Sequence, residues 1–123
     1  MIMPKYLTPI NAGGIQRFTE GATAPGWYQL DLPGALNPAL PGVTVPPNAT
    51  GMLVQSNASF DYCLSPEDAA LGVGQALTLP TGATIFITGR NSVLAFCVQL
   101  IGAGANITFQ FYTGDLGPVP SID

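Results

Sequence analysis

Period-two alternation of apolar and polar residues runs through the second half of the chain, from Gly51 to Thr113, and predicts half-buried β-strands. The clearest run is Asn106 to Phe111, where Ile107, Phe109 and Phe111 face one way and Asn106, Thr108 and Gln110 the other. Phe60, Tyr62 and Leu64 alternate in the same manner with Asp61, Cys63 and Ser65, as Leu77 and Leu79 do with Ala76 and Thr78. Ile85 and Ile87 bracket a third apolar residue, Phe86. Val93 to Val98 is apolar on both sides and predicts a central strand covered on both faces. Gly82, Gly89-Arg90-Asn91 and the run from Gly102 to Asn106 punctuate these segments with turn chemistry.

The first half follows different rules. Eight of the 12 prolines lie at positions 4, 9, 25, 33, 38, 41, 46 and 47. Proline fixes φ and donates no backbone hydrogen bond, so this region predicts extended pieces and turns, with short strands at Ile15 to Phe18 and Trp27 to Leu30. Asp31-Leu32-Pro33-Gly34 and Leu40-Pro41-Gly42 read as turns. One short helix is expected, because Ser65 is a capping type, Pro66 suits the first helical position, Glu67 and Asp68 face the positive end, and Gly72 stops it. Together these predict an all-β chain: a compact β-sandwich or jelly-roll over residues 51–123, preceded by a Pro-rich extended N-terminal arm over 1–50, in one structural unit.

Composition narrows the chemistry. Only 8% of the 123 residues are charged, against about 25% in ordinary domains. Three are cationic (Lys5, Arg17, Arg90) and seven acidic, and histidine is absent. A basic nucleic-acid binder is excluded on that balance, and so are His-dependent nucleophilic triads. Gln, Asn, Thr and Gly interrupt the long uncharged stretches, so no membrane-spanning helix is expected. The first residues show no basic segment leading into an apolar run, so a secretory signal is not expected. Cys63 and Cys97 would suggest a bridge in a secreted chain; without such a signal they read as two buried thiols. Two cysteines do not complete a zinc site, and Asp61, Glu67, Asp68 and Asp115 match no calcium-loop spacing. No cofactor, metal or catalytic residue is expected, and the chain is not read as an enzyme.

A β-core of about 60 residues is marginal alone, and a surface with so little charge leaves strand edges unprotected. A homo-oligomer is therefore expected. Gly51 to Leu64, then Leu77 to Ile87 with its Leu79-Pro80-Thr81-Gly82 turn, then Ile101 to Tyr112 with its Gly-Ala-Gly turn into an aromatic strand, resemble small β-sandwich virion proteins of tailed bacteriophages. The resemblance covers residues 51 to 113. It implies a head decoration, cement or minor capsid subunit, bound to the major capsid protein on the virion surface after assembly in the host cytoplasm, with a trimer favoured. The arm is expected to dock through Tyr6, Ile10, Phe18, Trp27 and Tyr28. The alternative is a receptor- or carbohydrate-binding module with an exposed aromatic platform at Trp27, Tyr28 or Tyr112.

Overall fold

The alternation over residues 106–111 is realised as the longest strand, β11 (Asn106–Thr113), which buries Ile107, Phe109 and Phe111 and leaves the intervening residues half-exposed. The computed structural model describes residues 2–4, 7–21, 23–72, 76–102, 104–114 and 118–120. The preceding strands are β1 (Ile2–Pro4), β2 (Thr8–Pro9), β3 (Ile15–Thr19), β4 (Gly26–Asp31), β5 (Ala39–Thr44), β6 (Gly51–Ser56) and β7 (Phe60–Cys63). After them come β8 (Leu77–Leu79), β9 (Thr84–Thr88) and β10 (Cys97–Leu100), and β12 (Pro118–Pro120) follows β11. Two short helices interrupt the strands, α1 (Pro66–Leu71) and α2 (Arg90–Ala95).

Two five-stranded sheets make the body. Sheet I runs β5-β4-β10-β7-β8, and sheet II runs β2-β11-β6-β9 with β3 also on the outer edge of β11. Setting aside β2 and β5, the orders β3-β11-β6-β9 and β4-β10-β7-β8 are fully antiparallel. Numbered one to eight along the chain, these strands fall in the orders 1-8-3-6 and 2-7-4-5, which is the double Greek key of a jelly-roll. A separate antiparallel pair joins β1 to β12.

Residues before 50 are extended, as their prolines require, and they are laid into this chain's own sandwich. β3 and β4 each pair with a second-half strand, and Phe18, Leu30, Leu40 and Val43 enter the common core. Between the sheets Phe60, Tyr62, Phe96, Phe109 and Phe111 form a continuous aromatic series with centroids 5.7–6.3 Å apart. The carboxamide of Gln16 ties the sheets at one corner. It accepts from Thr44 N–H (2.8 Å) and donates to Thr44 C=O (2.7 Å), as a neighbouring strand would.

Three local expectations meet different fates. The helix from Pro66 forms, with Gly72 in the left-handed region (φ 68°), although the Ser65 side chain makes no capping bond. Val93 to Val98 is not one strand: residues 90–95 are helical, the chain turns extended at Phe96, and only β10 enters sheet I, where it is central. Val93 and Phe96 are buried from the helical side and Val98 from the strand, so periodicity could not separate the two. Leu40-Pro41-Gly42 is not a terminal turn but a bulge within β5. Gln29 opposes Ala39 and Asp31 opposes Thr44, and Gly42 at φ 80° absorbs the extra residues so that Leu40 and Val43 both reach the core.

Candidate functional surface

The five candidate anchors do not form one surface. Tyr6 lies outside the described residues. Ile10 is half-buried against the core, its N–H bonded to Phe111 C=O. Phe18 is 1% exposed and packs inside the sandwich, which corrects the expectation that it anchors a partner. Its neighbours explain the inversion. The inward side of β3 and the residue after it reads Gln16-Phe18-Glu20, both polar side chains finding backbone partners at the two ends, which leaves Ile15 and Arg17 outside. Trp27 and Tyr28 take opposite faces of β4. Trp27 lies half-buried over Cys63, Cys97 and Ala69 on the outer side of sheet I, and Tyr28 packs on the core with its hydroxyl donating to Ala24 C=O (2.7 Å).

The outer face of sheet II is the surface that sequence reasoning missed. Strand register aligns Ile15, Gln110, Leu53 and Phe86 in one row across β3, β11, β6 and β9. Ile15 is 69% and Phe86 43% exposed, in a row where alternation would place polar residues. Phe86 packs on Tyr112 (centroids 5.3 Å apart). Beside them Gly51 is buried, and a Cβ there would sit a tight 3.1 Å from a Leu7 methyl and in ordinary contact, 3.5 Å, with the Phe86 ring. The available signal was the unbroken Ile85-Phe86-Ile87 triplet, apolar on both faces of a strand.

The next row is polar: Arg17, Thr108, Gln55 and Thr84. Here the face is concave, a cleft of about 370 Å³ lined by Arg17, Gln55, Ser56, Asn57, Gly82, Asn106 and Thr108. Arg17 Nε donates to Thr108 Oγ1 (3.2 Å). Asn57 and Asn106 clamp the far end, Asn106 N–H donating to Asn57 Oδ1 (2.7 Å) and Asn57 N–H to Asn106 C=O (3.2 Å).

Glu20 organises the loop at one end of the sandwich. It is 2% exposed and accepts from the backbone N–H groups of Gly104 (2.7 Å), Gly102 (2.8 Å) and Ala105 (2.9 Å). Burial works to raise its pKa, but the bonds from Ala105, Gly102 and Gly104 outweigh it, and the carboxyl titrates below its ordinary 4.5.

Under α1, Cys63 and Cys97 face each other across β7 and β10 as free, buried thiols. Burial, with Cys63 beside it, pushes the Cys97 thiol up to about 12. Asn37 Nδ2 satisfies Gln29 Oε1 and Pro66 C=O nearby, and no buried side-chain N or O among the described residues is unpaired. Asp61 accepts from Thr78 Oγ1, Glu67 and Asp68 begin α1, and Asp115 lies outside the described residues. Among the described residues no three His, Cys, Asp or Glu side chains gather as a metal-ligand set, and no helix is long and apolar enough to cross a membrane.

Comparison with protein-family models, curated proteins and solved structures gives no match to this chain. The class that can be stated is that of the fold: an all-β sandwich whose strands follow jelly-roll order.

Proposed function

We propose that this chain is a structural subunit of a tailed-phage head, a decoration or cement protein that binds the major capsid protein and stabilises the head lattice by non-covalent contact. The observation that carries the proposal is the apolar group Ile15, Leu53, Phe86 and Tyr112 on the outer face of sheet II, with Gln110 between Ile15 and Leu53, on a chain with few charges. Buried apolar area at a junction between subunits is what such a protein must supply, and the aromatic pair Phe86–Tyr112 suits it. Jelly-rolls recur in capsid and lectin domains, which supports the reading, although a fold by itself assigns no function. Binding in several copies, with a trimer favoured, lets weak single contacts hold through effective concentration. The arm's share of binding falls to Ile10, Trp27 and Tyr28, and the larger share to the outer face of sheet II.

Sedimentation of the purified chain with head shells assembled without it is the test. Co-pelleting to a saturable ratio is expected, and protein that stays in the supernatant at micromolar concentration refutes the proposal. A receptor- or carbohydrate-binding module is the second reading. Tyr112 and the polar cleft share one face in its favour, and glycan-array binding by the isolated chain tests it.

A further inference from the structure

The cleft beside Arg17 has the make-up of a small-molecule site rather than of a merely solvated sheet. Its concavity comes from side-chain length. Short Thr108 sits in register between long Arg17 and long Gln55, and the loops carrying Asn57 and Gly82 close one end. It is open to solvent, as a sugar subsite on a sheet face is, and its volume of about 370 Å³ has room for about one sugar ring.

Its chemistry is selective. Among the described residues no Asp or Glu lines it, although the chain carries seven acids and three cations. Arginine has five N–H donors, and among the described residues Arg17 uses one, Nε, on Thr108. That bond steadies the guanidinium and leaves its forked edge for an anion, the geometry that matches a carboxylate. The remaining lining is amide and hydroxyl: Gln55, Asn57, Asn106, Ser56 and Thr108. Amides both donate and accept, as sugar hydroxyls do. Asn57 already accepts from Asn106 N–H through Oδ1, so its NH₂ is left to donate.

We propose that this cleft binds a sugar unit bearing a carboxylate, of the hexuronic-acid class, with Arg17 on the carboxylate and Gln55, Asn57 and Asn106 on the ring hydroxyls. A bare anion would leave the amides idle, and a neutral hexose would leave the arginine idle. The inference rests on the second reading above, that of a carbohydrate-binding module, and is independent of whether the chain joins a shell.

The experiment is titration of the ¹⁵N-labelled full chain with glucuronate, glucose and inorganic phosphate at low salt, following backbone amides by NMR. Glucuronate is expected to shift Gln55, Asn57, Asn106 and Thr108 saturably, with a Kd of about 1 mM and at least about tenfold preference over glucose and phosphate. Added salt should weaken it, because the ion pair is exposed. Arg17→Gln should remove the preference while leaving the rest of the spectrum in place, since Arg17 is exposed. Arg17→Lys should keep part of it. Phosphate binding as tightly as glucuronate would overturn the proposal in favour of a simple anion site, and equal binding of glucose would show that Arg17 reads no charge. Sugar-induced shifts confined to Tyr112 or Trp27 would overturn the cleft while leaving the carbohydrate reading standing. No response to any sugar up to about 50 mM, some fifty times the expected Kd, overturns both.

Discussion

Removing the Glu20 carboxylate tests whether a single buried acid holds the end of the sandwich. In the folded chain it accepts three backbone N–H bonds from residues more than 80 positions away. Bonds to an ionised acceptor contribute about 1.5–3 kcal/mol each when nothing replaces them. Gly102 and Gly104 are exposed and their amides regain water, so each should cost only about 0.5–1 kcal/mol. Ala105 is buried, and its orphaned N–H costs about 1–3 kcal/mol. Glu20→Ala is therefore expected to destabilise by about 2–5 kcal/mol, or about 8–20 °C in Tm for a chain of this size. Glu20→Gln keeps one oxygen for Gly104 and Ala105 but turns an NH₂ toward the Gly102 N–H, and should cost about 1–2 kcal/mol. Urea unfolding followed by fluorescence of Trp27, the single tryptophan, measures both. The pH dependence sharpens the test. The folded-state pKa is depressed below 4.5, so the stabilisation is full above the unfolded value and is lost as pH falls through the folded one. The gap between wild type and Glu20→Gln should be constant near neutrality and close in acid below about pH 4.5. A Glu20→Ala cost under about 0.5 kcal/mol, or a gap unchanged in acid, would refute the reasoning.

Three further outcomes follow from the same structure. Gly14→Ala drives a Cβ into Ile10 C=O, where residues 11–13 loop out between two bonds to Phe111, and should cost at least about 3 kcal/mol or prevent folding, read by the urea midpoint. Phe109→Ala, at the centre of the aromatic series, should cost about 3–5 kcal/mol, against under about 1 kcal/mol for exposed Leu71→Ala in the same assay. With its thiol pushed up to about 12, Cys97 should resist iodoacetamide at pH 8 in the folded state and react only on unfolding, as peptide mapping would show.

Face parity explains what the sequence made legible. Where a strand has one apolar and one polar face, as in β11, alternation identified both the strand and its buried side. The pairing of these strands into jelly-roll order was not legible, because its contacts are remote: Ile15 meets Gln110, and Gln29 meets Cys97. Helix α2 hid for a related reason, since its short apolar run fits either period. The site was the least legible part. Residue type singled out Phe18, Trp27 and Tyr28, but exposure is set by parity and by partners such as the Thr44 backbone, which places Gln16 inward and Ile15 outward. Glu20 carries no local signal at all, because its three donors come from the far end of the chain.

The outer face of sheet II as the binding surface is tested most directly by the double variant Ile15→Asp, Phe86→Asp. Ile15 is exposed and Phe86 gives up its packing on Tyr112, so the double variant should stay folded at a cost of about 1–2 kcal/mol in the urea assay. In sedimentation with head shells lacking the protein, the wild type should pellet with the shells and the double variant should remain in the supernatant. Pelleting of the variant to the same ratio as the wild type would contradict the account.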